Sequence, residues 1–180
     1  MKRHIFLTGE IQVGKSTAIR KFLDNTSVGA DGFLTHILRE RGSRELAVAR
    51  FDTERGETDW RQAAVTSPLR SAALRDLFDS HGAAIVNASG GRQIVIMDEL
   101  GALEEDSPAF KSAVVNKLDG QTPVLGVIKK AESAFLDSLC RRPDVELITV
   151  TPENRDDIPA VLAERYALDA GFCSCYNFHR

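Results

Sequence analysis

"HIFLTGEIQVGKST", His4 to Thr17, decides how the chain is read. Its second part, Gly9 to Thr17, matches the spacing G-x-x-x-x-G-K-[ST]. A short β-rich run, His4 to Thr8, precedes it. Ala18, Ile19, Phe22 and Leu23 follow at helical spacing, which predicts a helix from Lys15. Strand, glycine loop and helix in that order form a phosphate cradle. Gly9 and Gly14 permit backbone conformations that other residues resist. The amides of Glu10, Ile11, Gln12 and Val13 then turn inward as an anion nest. The helix start, with Ser16 and Thr17, adds partial positive charge. Lys15 is expected to reach the β- and γ-phosphates, and Ser16 to ligate Mg²⁺ through its hydroxyl. The bland alternative is a chance glycine turn with a surface lysine, which would make both flanks coincidental.

The second informative stretch is "IVIMDELG", Ile94 to Gly101. Four apolar residues of strand length end in two carboxylates. Asp98 is expected to hold Mg²⁺ opposite Ser16. Glu99 is expected to polarise a water for attack on the γ-phosphorus, which is general-base work. The same letters fit D-x-x-G, and "NKLD" (Asn116 to Asp119) fits a guanine-reading pattern. That pattern belongs in a loop after a buried strand. Here it falls inside the helical repeat Phe110, Ala113, Val114, Leu118, so it reads as a decoy. Gly120 is expected to end that helix as a left-handed cap.

Around these motifs, apolar segments alternate between strand-like and helix-like. "DGFLTHIL" (Asp31 to Leu38) and "ELAVARF" (Glu45 to Phe51) flank a charged tip and read as a hairpin. Thr53 to Ser71 is the least regular stretch. Ala72 to Val86 reads as a helix. "PVLGVI" (Pro123 to Ile128) and "VELITV" (Val145 to Val150) are strands with a helix between them. Thr151 and Pro152 are expected to open the last helix. Strands apolar on both faces, separated by helices, imply a single α/β domain. Its central sheet is mostly parallel and covered on both faces, with an antiparallel hairpin added. Residues 1–168 are assigned to this domain and 169–180 to a tail.

Composition narrows the partners. Net charge is −3, which gives no electrostatic reason to expect nucleic acid or an anionic membrane. No run approaches the ~20 apolar residues of a membrane span. Three cysteines without a pairing pattern, Cys140, Cys173 and Cys175, suit a reducing, cytoplasmic setting.

The blocks "HIFLTGEIQVGKST", "DGFLT", "IVIMDELG" and "VTPENRDDI" resemble, in order, those of the small nucleoside-triphosphatase family first known from thermophiles, also called cancer-related nucleoside-triphosphatase. The resemblance spans Arg3 to about Ala163. It implies one phosphate-loop domain that needs Mg²⁺ and hydrolyses ATP, GTP and other nucleoside triphosphates to diphosphate and phosphate. The chain departs from the family pattern at named places. Glu10, Ile11 and Gln12 replace a Gly- and Pro-rich loop, and Glu10 brings a negative charge toward the phosphates. Ala102 and Leu103 stand where the family has lysine and methionine. His36 and Ile37 stand where it has an acidic residue.

Hydrolysis benefits from a cation on the developing charge. Arg39 and Arg44, at the hairpin tip, match family arginines and are candidates, with a solvated turn as the plain alternative. Arg155 also matches and is expected at a helix start, against the base or ribose. In the tail, Cys173, Cys175 and His179 follow no established zinc spacing. The reading that results is a Mg²⁺-dependent triphosphatase acting on ATP, GTP and, with a stacked base, CTP and UTP. A nucleotide or small-molecule kinase and a slow nucleotide-dependent switch are the alternatives.

Overall fold

The computed structural model of the chain describes residues 2–40, 43–55, 64–66 and 71–169, with side chains omitted at 38–40, 43–45, 55, 64–66, 71 and 167–169. Cys173, Cys175 and His179 lie outside the described residues, as does most of Thr53–Ser71. Seven strands form one sheet: β1 (His4–Thr8), β2 (Ala30–Glu40), β3 (Ser43–Asp52), β4 (Ala64–Thr66), β5 (Ile94–Leu100), β6 (Val124–Ile128) and β7 (Val145–Thr149). Their order is β4-β3-β2-β5-β6-β1-β7. All pairings from β2 to β7 are parallel, and β3 pairs antiparallel with β2 and β4. The domain is therefore α/β with a mostly parallel sheet and an antiparallel hairpin.

The apolar runs are strands because both faces of the sheet are covered. Successive side chains of a strand point to opposite faces. In β1, Phe6 enters one core while Ile5 and Leu7 enter the other. In β5, Val95 and Met97 share the face of Phe6, and Ile94 and Ile96 that of Ile5. One face is covered by α1 (Lys15–Asn25) and α6 (Ile158–Asp169), where the rings of Phe22 and Tyr166 lie 5.6 Å apart. The other carries α2 (Ser71–Asp76), α3 (Ala83–Ala88), α4 (Pro108–Leu118) and α5 (Ala134–Cys140). A wider, π-helical turn over Leu77–Gly82 joins α2 to α3. It brings the Asp79 carboxylate to the start of α4, where it accepts the amides of Ala109 (2.8 Å) and Phe110 (3.1 Å).

The "NKLD" segment is structural. Lys117 Nζ donates to the Ser89 carbonyl at 2.6 Å, and Asp119 pairs with Arg142 at 2.8 Å. Arg3, just before β1, donates to the Gly120 carbonyl at 2.8 Å. These residues therefore sit at the edge of the sheet where β1 begins, opposite the edge where Gly9 follows it. Gly120 is not the left-handed cap the sequence suggests. Its amide closes on the Lys117 carbonyl at 3.2 Å and Asp119 stays right-handed, so a tightened last turn ends the helix.

The last helix also starts later than Thr151–Pro152 suggests. Asn154 Oδ1 accepts the Thr151 amide at 2.8 Å, and its Nδ2 donates to the Thr149 carbonyl at 3.0 Å. A side chain that takes up local backbone groups competes with helix formation. Residues 152–157 consequently make turns, and α6 begins at Ile158.

Two carboxylates fix the ends of β5. Asp31, 2% exposed, accepts the Gly90 amide at 2.9 and 3.1 Å and the Gly91 amide at 3.1 Å, which anchors the approach to the strand. Beyond the strand, the short turn Ala102–Glu104 folds back so that Glu104 Oε2 accepts the Gly101 amide at 2.9 Å. Burial pushes the Glu104 carboxyl up to about 7.

Asp31→Ala leaves the part-buried amides of Gly90 and Gly91 without their acceptor. It is expected to lower unfolding stability by about 2–4 kcal/mol, read as a lower urea midpoint at unchanged slope, with a smaller loss in Asp31→Asn. For Glu104 the folded carboxyl binds its proton more tightly than the unfolded one. Its burial therefore costs nothing below about pH 4.5 and progressively more as pH rises to about 7. Glu104→Gln, which keeps an acceptor for Gly101, should be about 1–3 kcal/mol more stable than wild type at pH 8, and the gain should vanish near pH 4.

Candidate active site

After β1 the chain must reverse into α1 within a few residues. Gly9 makes this possible. Its φ is 142°, and a Cβ there would lie 2.4 Å from the Val150 carbonyl oxygen. Gln12 (φ 62°) and Gly14 (φ 112°) continue the left-handed path. Helix α1 then opens with no side-chain cap and no acidic residue in its first turn, which leaves its first amides for an anion. Lys15, 7% exposed, folds over the loop and donates to the carbonyls of Gly9 (3.1 Å) and Glu10 (2.7 Å). Burial holds its ammonium below the ordinary lysine range, and Glu99 works against that shift.

The loop is one wall of a cavity of about 860 Å³. Thr35, His36 and Ile37 on β2 and Leu46 on β3 form another wall, and Glu99, Lys129 and Lys130 complete it. Val13 is turned into the core instead, while Ile11 is exposed at the loop's tip. The charge of Glu10 does not face the phosphate cradle alone, because its carboxylate is paired with Lys130 at 2.7 Å.

Glu99 reaches this cavity, and Asp98 stands just behind its wall at Ser16, because β5 lies between β2 and β6, near the centre of the sheet. Ser16 Oγ donates to Asp98 Oδ1 at 3.0 Å. Asp98 is half-buried, and desolvation pushes its carboxyl up to about 6 against the pull of the Ser16 hydroxyl. Octahedral Mg²⁺ with bonds of about 2.0–2.1 Å has neighbouring ligands about 3 Å apart, so this oxygen pair fits two adjacent positions. Among the described residues no three His, Cys, Asp or Glu side chains cluster as a metal site. The Glu99 amide donates to Thr35 Oγ1 at 3.2 Å, and its carboxylate is paired with the Lys129 ammonium.

The candidate arginines divide. The backbones of Arg39 and Arg44 face each other across the hairpin. Leu34 is level with Asp98, so Arg39 stands five residues further on, roughly 16 Å at the usual strand rise. Their side chains lie outside the described set. Arg155 occupies a turn, not a helix start, and its Cδ is 3.7 Å from where a Cβ on Gly14 would be. Its stem therefore lies against the beginning of α1, on the loop's side of the sheet.

Lys129, Lys130 and Thr35 are the site residues that the sequence reading passed over. A signal existed. "IKK" ends a buried strand as "MDE" does, and polar residues at the ends of buried parallel strands face the ligand edge.

With this geometry in hand, comparison with known proteins places the chain. A sequence profile described as NTPase matches residues 4–163. The nucleoside-triphosphatase THEP1 of Thermofilum pendens is 32% identical over 182 residues, covering 92% of this chain and 96% of that protein. The human cancer-related nucleoside-triphosphatase is 30% identical over 184 residues, covering 88% and 93%. The solution structure of a human cancer-related nucleoside triphosphatase superposes with a TM-score of 0.66 at 25% identity, covering 96% of this chain and all of that one. On the profile, on these relatives and on its fold, the chain belongs to the NTPase family and is an enzyme of that family.

Proposed function

We propose that the protein hydrolyses nucleoside 5′-triphosphates, ATP and GTP among them, to the diphosphate and phosphate in a Mg²⁺-dependent reaction. The observation that carries this reading is the Ser16–Asp98 hydrogen bond at 3.0 Å, beside an uncapped helix start and next to Glu99 in the same cavity. The relatives' names, nucleoside-triphosphatase in each case, support it.

In this reading the loop amides and Lys15 bind the β- and γ-phosphates. On binding, the Lys15 ammonium exchanges the carbonyls of Gly9 and Glu10 for phosphate oxygens. Ser16 and Asp98 would hold Mg²⁺, which would supply positive charge to neutralise the phosphates. Glu99 orients a water and accepts its proton as the water oxygen bonds to the γ-phosphorus. The bond from that phosphorus to the β–γ bridging oxygen breaks, and the diphosphate leaves with the electron pair. Thr35 fixes the Glu99 backbone through its hydroxyl. Catalysis is then mostly positioning and charge neutralisation. Arg155, lying along the start of α1, stacks on the base without reading its edge, which allows several bases. A kinase would need a lid. The links after β6 (Lys129–Ser133) and after β7 (Val150–Asp157) are short, and each is followed directly by a helix. Among the described residues no helix is long and apolar enough to cross a membrane. The free thiol of Cys140 goes with a cytoplasmic setting.

Phosphate release from ATP, GTP, CTP and UTP should occur with Mg²⁺ and stop with EDTA. Glu99→Gln should reduce kcat about 10²–10⁴-fold. Nucleotide binding without turnover in the wild type would refute hydrolysis and point to a switch or a phosphoryl acceptor. Arg155→Ala should raise KM for all four nucleotides alike, by about 2- to 30-fold, with little change in kcat, as loss of a stacked cation would. A change confined to one base would mean that Arg155 reads a base edge.

A further inference from the structure

We propose that Lys129 recognises the γ-phosphate, and that in doing so it gives up Glu99, so that the catalytic carboxylate is freed only when a triphosphate is present. This rests on the reading that the cavity takes a nucleoside triphosphate.

Strand order puts Lys129 in place. β6 lies between β1, which carries the phosphate loop, and β5, which carries Asp98 and Glu99. The residue that follows β6 therefore emerges between the phosphate cradle and the acidic pair. Its backbone is held there, since the Lys129 amide donates to the Leu100 carbonyl at 2.8 Å. Its stem crosses the turn after Glu99, with Cδ 3.2 Å from where a Cβ on Gly101 would be. That turn, Gly101-Ala102-Leu103, supplies no cation of its own. The ammonium ends on Glu99 Oε1, and the Lys129 side chain, 42% exposed, lines the cavity.

The neighbouring cations are committed differently. Lys15 is held by two loop carbonyls, and Lys130 by Glu10 at the outer rim. Lys129 alone of the three holds the carboxylate proposed to receive the water's proton. While the ammonium occupies Oε1, that oxygen is not open to the water. A γ-phosphate bound beyond Lys15 brings concentrated negative charge to the same space. It competes with one carboxylate for one ammonium, and its higher charge favours the exchange. A diphosphate ends one phosphoryl group short of Lys129 and leaves the pair closed. The pair would thus distinguish substrate from product by charge at a single position.

The test measures affinity of wild type, Lys129→Ala and Lys129→Arg for a β,γ-imido nucleoside triphosphate and for the diphosphate, both with Mg²⁺, alongside kcat and KM. Lys129→Ala should weaken triphosphate binding about 10- to 100-fold, the span of a charge-assisted hydrogen bond, and change diphosphate binding less than about 2-fold. Lys129→Arg should restore most of the preference. An unchanged ratio of the two affinities in a folded Lys129→Ala protein would overturn the proposal and leave Lys129 as a strut for Glu99. Equal weakening of both ligands would overturn it too. The affinity ratio reads γ-phosphate recognition even if the wild type releases no phosphate. Failure of hydrolysis and failure of this inference are therefore separate results.

Discussion

The hydrogen bond between Ser16 and Asp98 joins the two halves of the site. One partner sits in the first turn of α1, the other at the end of β5, and β6 lies between their strands. It holds only if β1, β6 and β5 are in register, because a shift along any of them would carry a loop or a carboxylate away from the common edge. The apolar faces enforce that register. A slip by one residue would exchange Phe6 with Ile5 and Met97 with Ile96 between two differently shaped cores. Packing deep in the sheet thus sets distances at its rim.

Around that bond the rim consists of groups whose charges are only partly satisfied by protein. Lys15 rests on carbonyl dipoles and Asp98 on one hydroxyl. The Glu104 carboxyl, buried behind the turn, is destabilised in its ionised form. At Lys15 and Asp98 such an arrangement costs stability and is relieved by a bound polyanion with its cation. The anchors that offset it lie outside the cavity, in Asp31 below β5 and Asp79 at the start of α4.

Features set by adjacent residues were legible in the sequence. The phosphate loop is one: glycine spacing, strand and helix are all local. The central strands are another, since nothing but burial on both faces explains runs such as Ile94 to Met97. The hairpin follows from two β-rich runs around a charged tip. What the sequence did not yield depends on competition or on strand order. Asn154 reads as a helix residue until its side chain is seen to take the Thr151 amide. Gly120 reads as a left-handed cap, yet a closing turn onto Lys117 leaves it no such task. Lys129 looked like any lysine after a strand, because its neighbours are fixed by β6 lying between β1 and β5, which no local spacing encodes. The charge on Glu10 raised a question that only the position of Lys130 answers.

The placement of β1 has a further consequence, for the order in which the protein takes shape. Its two partners in the sheet are β6 and β7, with Ile5 opposite Leu125 on one side and Glu146 on the other. A ribosome delivers β1 well before either of its neighbours. Until Val145–Thr149 has emerged, the strand that carries the phosphate loop lacks a full complement of pairing partners. Closing so long a loop is slow and entropically costly. The nucleotide cradle is therefore encoded before the strands that complete it. During that interval the apolar His4–Thr8 segment needs shielding from wrong partners. A nascent chain cannot be rescued by its own ligand before β7 has emerged, because the site that would bind it is not yet built.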